Sequence, residues 1–228
     1  MAIEKKIFLI SFFITSLIFI VILASNSLMN NGREQAVLGQ MDHLLKNYEE
    51  MQSLLLMSEY FGEDASCNAL SSMLSSMNTE LWELGLRIDS YRQVTEEFLK
   101  DPFYLEQKEK FNRKEILYFT MFRKMKDICN TNQTIVSYFY RKKDFCPDCD
   151  AQAFVLEDLR KGIEKEGNST LALFSFDADF DIPTFNILLD YYNITSFPCL
   201  VIEDQRYCGL YDKDNLTSIL CKQGNICT

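Results

Sequence analysis

Hydrophobic residues follow three different patterns along the chain, and the first predicts a membrane anchor. The stretch from Ile7 to Ala24 contains no charged residue. As a helix it would be roughly 27 Å long, close to the thickness of the hydrocarbon core of a bilayer. We therefore predict a transmembrane anchor over residues 7–27. Lys5 and Lys6 would keep the preceding segment, 1–6, in the cytoplasm and place the rest of the chain outside. Cleavage at the end of this stretch is the alternative, although cleavable signal peptides usually have shorter apolar cores.

The second pattern, over residues 33–129, repeats every three to four positions and predicts helices. Its first two runs have the spacing of a heptad seam: Val37, Met41, Leu44, Tyr48, Met51 and Leu55, then Leu74, Met77, Leu81, Leu84, Ile88, Tyr91 and Phe98. The turn and cap residues of "FGEDAS" separate these helices, and Pro102 ends the second. A third helix is predicted from Phe103 to Cys129. We expect a helical hairpin or three-helix bundle that acts as a stalk or, alternatively, as a surface for docking or homodimerisation.

The third pattern, over residues 132–228, alternates short β-branched or aromatic runs with amphipathic runs. Strands are predicted at Thr134–Tyr140 and Leu171–Asp177, and then at "CLVIE" and "RYCGL", joined by a turn at "DQ". The first helix of this region should turn Phe154, Leu156 and Leu159 inward. The element order is βαβαββα, which predicts an α/β domain with one parallel strand pair and an antiparallel edge hairpin.

Charge and histidine content exclude several classes of function. The net charge of -10 and the pI near 4.7 argue against a nucleic-acid partner, because phosphates require a basic surface. The chain has one histidine, His43, far from the cysteines. Hydrolysis by a serine–histidine pair and histidine-based metal chemistry are therefore not expected.

Cysteine content fits an oxidising compartment. There are eight cysteines, an even number, at positions 67, 129, 146, 149, 199, 208, 221 and 227. Four glycosylation triplets add weak support for export: those at Asn132, Asn168, Asn193 and Asn215. If the helices alternate in direction, Cys67 and Cys129 meet and could form a disulfide. One structural pair is also expected among Cys208, Cys221 and Cys227.

The pair in "KKDFCPDCDA" allows three interpretations: a redox pair, a structural disulfide, or half of a zinc site. Cys146, Cys149, Cys199 and Cys208 could supply four thiolates to zinc. The C-x8-C spacing of the second half is not a usual zinc-binding spacing, and Cys208 should sit at the far end of a hairpin from Cys199. We expect no metal.

Three segments resemble the thioredoxin-fold family, in its short glutaredoxin-like form, over residues 132–222. They are "YFYRKKDFCPDCDAQAF", "YNITSFPCLVI" and "YCGLYDKDNLTSIL". The resemblance implies a thiol–disulfide oxidoreductase that acts on protein dithiols and disulfides. It implies no organic cofactor, but it requires a membrane or soluble redox partner that recharges the pair. It also implies a cis peptide bond at Phe197–Pro198, whose strand edge would receive an extended substrate.

The residues of the pair suggest how it would work. A thiolate at a helix N-terminus is stabilised by unpaired N–H groups and the helix dipole, so Cys146 is the expected nucleophile. Cys149, one turn later and more buried, would resolve the mixed disulfide, and Pro147 suits the first helical position. Asp148 and its acidic neighbours oppose the thiolate, which predicts a milder, more reducing pair. Cys199, directly after the proline, is expected near the pair as a modulator.

A non-enzymatic alternative also follows from the sequence. The thioredoxin fold also serves as an inert binding module, so function does not follow from fold alone. In that case the helical region would dock a partner, and the Cys146–Cys149 pair would be a structural disulfide or part of a metal site.

Overall fold

The chain is mostly helical, with a small mixed sheet in its C-terminal part. The computed structural model describes residues 2–92, 101–129, 131, 133–165 and 171–224. Two compact units are present, Met1–His43 and Leu44–Thr228. The elements within the described residues are α1 (Ala2–Phe61), α2 (Glu63–Arg92), α3 (Pro102–Cys129), β1 (Thr134–Tyr140), α4 (Cys149–Lys165), β2 (Leu171–Asp177), α5 (Pro183–Tyr191), β3 (Cys199–Ile202), β4 (Gln205–Cys208) and α6 (Lys213–Gln223).

The first unit consists of the N-terminal part of α1, which carries the apolar stretch of the sequence. Its large apolar side chains between Leu9 and Leu23 are each more than half exposed. α1 is long and apolar enough to cross a membrane, by length and composition. The predicted span 7–27 lies within this helix.

In the second unit, the C-terminal part of α1 and the helix α2 bury the predicted seams. The buried seam residues are Leu44, Met51, Leu55, Leu74, Met77, Leu81, Leu84 and Ile88. The connection between the helices is shorter than "FGEDAS" suggests, because α2 already begins at Glu63. Gly62 makes the turn at φ 91°, a backbone conformation that favours glycine. Cys67 therefore lies in the first turns of α2 and not in a loop.

The sheet has the strand order β2-β1-β3-β4. β1 pairs in parallel with β2, from Thr134 opposite Leu171 to Tyr140 opposite Asp177. β3 runs antiparallel to both β1 and β4. α4 supplies the crossover that parallel neighbours require. The predicted order of strands and helices in this region matches the observed one, and β2 is left as an edge strand.

Helices α4 and α6 cover one face of the sheet. The buried cluster between them and the strands contains Val136, Tyr138, Leu156, Leu159, Ile163, Leu173, Leu200, Ile202, Leu216 and Leu220. Phe154 does not point into this cluster as predicted, since 75% of its surface is exposed. It lies two residues from Leu156, about 200° around the helix, and therefore on the opposite face.

Helices α3 and α5 cover the other face, so α3 belongs to the packing of the sheet. The rings of Tyr118 and Phe174 lie 5.5 Å apart, and those of Phe119 and Phe176 lie 5.6 Å apart. Lys126 Nζ also lies 2.6 Å from Glu203 Oε1, in the turn between β3 and β4. A boundary was predicted between the helical stalk 33–129 and the domain 132–228. Packing continues across this boundary, because the apolar face of α3 is buried against strand side chains.

A two-residue turn sets the register of the β3–β4 hairpin. The turn consists of Glu203 and Asp204, at φ 46° and 69°, and not of the predicted "DQ". Positive φ at both positions is typical of a type I′ hairpin turn. This register places Cys199 directly opposite Cys208. Cys208 is thus beside Cys199, and not at the far end of the hairpin.

Asp204 ties the hairpin turn to α3, and its loss should weaken the fold. Arg123 Nη1 lies 2.5 Å from Asp204 Oδ1. The hydrogen bond from Arg123 holds the pKa of Asp204 below its ordinary range, so the ionised form favours the folded state. This stabilisation is present above the ordinary aspartate pKa and is lost as pH falls through the lowered value.

Asp204→Asn is therefore expected to destabilise the protein at neutral pH by no more than about 1 kcal/mol, because the pair is partly exposed. Asparagine tolerates the positive φ of this turn. The difference from wild type should shrink in acid, as measured by urea unfolding over a pH series. Asp190→Asn, at an exposed position of α5, is the control. A difference that grows as pH falls would contradict this role of Asp204.

Candidate functional site

The candidate site forms where β1 ends and α4 begins. Cys146 and Cys149 are joined by a disulfide, with their Cα atoms 5.4 Å apart. The Cys146 N–H donates to the Lys142 carbonyl at 2.9 Å, which folds the loop back on itself. Cys149 is the first residue of α4, and its carbonyl accepts a hydrogen bond of 2.6 Å from Tyr138 Oη. The pair thus lies at a helix N-terminus, and a hydrogen bond from strand β1 fixes Cys149 in position.

Both cysteines are buried in this disulfide state. The exposed fraction is 1% for Cys146 and 2% for Cys149. The expectation that Cys146 is the more accessible of the two is therefore not met. Residues on either side of Cys146, namely Phe145, Pro147 and Asp148, are exposed. The loop presents these side chains to solvent and turns the sulfurs inward.

A salt bridge that the sequence analysis missed holds the loop before Cys146. Arg141 Nε lies 2.9 Å from Asp179 Oδ1, and the second oxygen of Asp179 accepts the Lys142 N–H at 2.6 Å. The Arg141 guanidinium carbon also lies 4.7 Å from the centre of the Phe145 ring and 5.9 Å from that of Phe197. Arg141 therefore connects the segment before Cys146 with the segment before Pro198. The acidic run "FDADFD", which begins at the end of β2, was the feature of the sequence from which the role of Asp179 could have been predicted.

The predicted substrate-binding residues lie in this connected segment. The Phe197–Pro198 peptide bond is cis, Phe197 is half-buried and Pro198 is buried. The Pro198 carbonyl accepts a hydrogen bond of 2.8 Å from the Gly209 N–H. This bond links the proline segment to Gly209, the residue that follows β4.

Two buried ionisable residues lie near the C-terminal ends of β1 and β2. Burial raises the pKa of Asp177, at the end of β2, and the charge of Lys108 opposes this rise. Lys108 is itself buried in α3, and its Nζ lies 5.9 Å from the centre of the Tyr140 ring. Burial also raises the pKa of Tyr138, and Asp150 raises it further. The surroundings of the pair thus contain buried charge that the strand and helix patterns did not reveal.

The remaining cysteines form disulfides whose pairing the sequence predicted only in part. The Cys67–Cys129 bond is present, with Cα atoms 5.5 Å apart. Cys199 is bonded to Cys208, and not free beside the pair, because the hairpin register sets the two opposite each other. Cys221 is also disulfide-bonded, and Cys227 lies outside the described residues.

The four cysteines considered as zinc ligands are not thiolates in this structure. Cys146, Cys149, Cys199 and Cys208 are held in two separate disulfides, and a disulfide sulfur is not a thiolate ligand. Within the described ranges, no group of three or more His, Cys, Asp or Glu side chains could hold a metal ion.

Comparison of the chain with models of protein families, with curated proteins and with solved structures finds no match. Function is therefore inferred from the residues of the site.

Proposed function

We propose that this protein is a membrane-anchored thiol–disulfide oxidoreductase whose thioredoxin-like domain acts outside the cytoplasm. The observation that carries the proposal is the Cys146–Cys149 disulfide at the N-terminus of α4, directly after a strand. A helix N-terminus stabilises a thiolate, and the thiolate is the form that attacks a disulfide. The three-residue spacing brings Cys146, in the loop before α4, within bonding distance of Cys149 in its first turn.

The sheet topology gives further support to the family resemblance. The order β2-β1-β3-β4 has one parallel pair and one antiparallel hairpin, as the βαβαββα plan requires. Pro198 directly precedes β3, the strand that pairs with β1. The packing of α3 and α5 on one face, with α4 and α6 on the other, completes a layered α/β arrangement.

In the reducing direction, the Cys146 thiolate attacks a substrate disulfide. A bond forms between Cys146 and one substrate sulfur, and the second substrate sulfur leaves as a thiolate. The Cys149 thiolate then attacks Cys146, which restores the Cys146–Cys149 bond and releases the first substrate sulfur. Two electrons pass from the pair to the substrate, whose two sulfurs take up protons. The reverse sequence oxidises a dithiol, and in either direction a redox partner must recharge the pair.

Charges around the pair favour a reducing character. Asp148 and Asp150 lie at the start of α4 and oppose a thiolate at Cys146. Arg141, which stacks near Phe145, is paired with Asp179, and its charge is partly neutralised by that carboxylate. We therefore expect a potential nearer to that of reductants than to that of strong oxidants.

The proposed location follows from the N-terminal helix and its flanking lysines. An anchor at 7–27 with Lys5 and Lys6 on the cytoplasmic side would place the cysteines in an oxidising compartment. Asn193 and Asn215, in two of the glycosylation triplets, are exposed, whereas Asn132 and Asn168 lie outside the described residues.

A second candidate function is supported by the burial of Cys146. An exposed fraction of 1% suits a structural disulfide in a binding domain better than an open nucleophile. In that case the protein would be a membrane-anchored scaffold, and the pair would hold the loop to α4.

The reduction potential of the pair separates the two candidates. The full-length protein in detergent would be equilibrated in thiol buffers, and each cysteine pair scored by alkylation and mass mapping. We expect Cys146–Cys149 to be reduced at about −270 mV, above the range of structural disulfides. The Cys67–Cys129 bond provides the internal structural reference. A value below about −300 mV for Cys146–Cys149 would overturn the enzymatic proposal in favour of the scaffold.

A further inference from the structure

A cavity of about 550 Å³ lies beside the sheet, between α2, α3 and α4, at the edge strand β2. The cavity extends around the edge of the sheet. Side chains from both faces of the sheet therefore line it, including Leu173 and Phe174. Its size is within the range of small-molecule sites in proteins.

Of the nineteen described residues that line the cavity, seven are aromatic and five are charged, namely Lys108, Glu115, Asp150, Glu157 and Lys161. The lining rings are Trp82, Phe111, Tyr118, Tyr138, Tyr140, Phe154 and Phe174. Two of the hydroxyl groups are already engaged, since Tyr118 donates to the Leu74 carbonyl and Tyr138 to the Cys149 carbonyl. These residues therefore offer ring surface to an occupant, which favours a flat, apolar molecule.

One lining residue is the tryptophan Trp82, whose N–H group does not open onto the cavity. The indole Nε1 of Trp82 is buried and has no acceptor among the residues that the structure describes. Because this atom has no accessible surface even in the empty cavity, Trp82 offers an occupant its ring and not a hydrogen bond. One face of the Trp82 ring is covered by Arg160, whose guanidinium carbon lies 4.3 Å from the ring centre. The indole is thus held in place.

An added peptide strand is a poorer fit to this edge. Glu115 Oε1 accepts the Ser175 N–H of β2 at 2.6 Å. Because this backbone N–H is already bonded to the carboxylate, it is not available to pair with an added strand. The edge therefore favours a small molecule over an extended chain.

We propose that this cavity binds a flat, mainly apolar aromatic molecule that packs against the lining rings, Trp82 among them. The mouth of the site is formed in part by Ala153 and Phe154, both exposed on α4. Cys149 and Asp150 also line the cavity, so the occupant lies against the first turn of the helix that carries the pair. The site does not depend on the proposed redox function, and a structural disulfide would leave it intact.

The probe for this site is methyl 4-nitrobenzoate, a flat, uncharged aromatic compound with a nitro group that quenches indole fluorescence. Trp82 is the one tryptophan of the chain, so its emission reports on the cavity alone. Titration of the full-length protein in detergent should give saturable quenching with one probe per chain. Ligand-observed NMR should detect the same binding without relying on fluorescence.

Three variants test the placement of the site. Ala153→Phe fills the mouth and should weaken binding about tenfold or more, whereas Ala151→Phe, at an exposed position of α4 outside the lining, should not. Trp82→Phe, followed by NMR, should weaken binding roughly two- to tenfold through loss of aromatic ring surface. Thermal melting confirms that each variant is folded. Quenching that does not saturate, or equal binding by the Ala153 and Ala151 variants, would overturn the site. Unchanged binding by Trp82→Phe would overturn the role of the indole.

Discussion

Cys149→Ser should trap a substrate protein as a mixed disulfide on Cys146, whereas Cys146→Ser should trap none. In the proposed mechanism Cys146 makes the first bond to substrate, and Cys149 only releases it. Both variants should lose turnover of a protein disulfide almost completely, by at least about a hundredfold, because each removes one half of a two-step exchange. Non-reducing electrophoresis and mass mapping after incubation with an oxidised substrate protein would detect the trapped complex.

The two serine variants act as matched controls for each other. Both replace a buried cysteine of the same disulfide, so a loss of stability should affect them alike. A difference in substrate trapping between the two variants is expected only if Cys146 attacks the substrate first. Trapping on Cys149 in the Cys146→Ser variant would show that the assigned roles are wrong. Trapping by neither variant, with both folded, would favour a structural disulfide.

Removing the Cys67–Cys129 disulfide should cause the largest loss of stability. The bond joins residues separated by 62 positions, and it ties the beginning of α2 to the end of α3. Opening a loop of this length raises the entropy of the unfolded chain, which corresponds to about 4 kcal/mol of lost stability. The double variant Cys67→Ala/Cys129→Ala should show this loss in urea unfolding followed by Trp82 fluorescence.

Asn68→Ala is the control for this loss, because Asn68 is an exposed neighbour of Cys67 in the same helix. It should change the free energy of unfolding by no more than about 0.5 kcal/mol. Reduction, which also opens the other disulfides, should cost the wild type about 4 kcal/mol more than it costs the double variant. A loss below about 1 kcal/mol in the double variant would contradict this origin of the stability, because it would mean that residual structure already restricts the unfolded chain without the bond.

Local sequence patterns determined the kinds of elements and their order. The uncharged stretch from Ile7 to Ala24 predicted a helix able to cross a membrane, because length and apolarity alone decide this property. The change from a period of three to four residues to short β-branched runs predicted where the sheet begins. Neighbouring positions also placed Cys146 and Cys149 within bonding distance, since they are separated by only 3 positions along the chain.

Other properties depended on a single turn whose conformation the residue types do not specify. Glu203 and Asp204 adopt positive φ although neither is glycine. The resulting register pairs Cys199 with Cys208, which overturned the expectation that Cys208 lies at the far end of the hairpin from Cys199. A shift of the turn by one residue would have placed different residues opposite each other.

The chain pattern by itself therefore determined the helix able to cross a membrane, the order of strands and helices, and the Cys146–Cys149 pair. Only the tertiary structure decided the burial of Cys146, the Arg141–Asp179 salt bridge, the docking of α3 on the sheet and the cavity beside Trp82. The physical reason is the range of the interactions. Periodicity and short spacing act within one element, whereas burial, ion pairs and cavities depend on which faces of distant elements meet when the core packs.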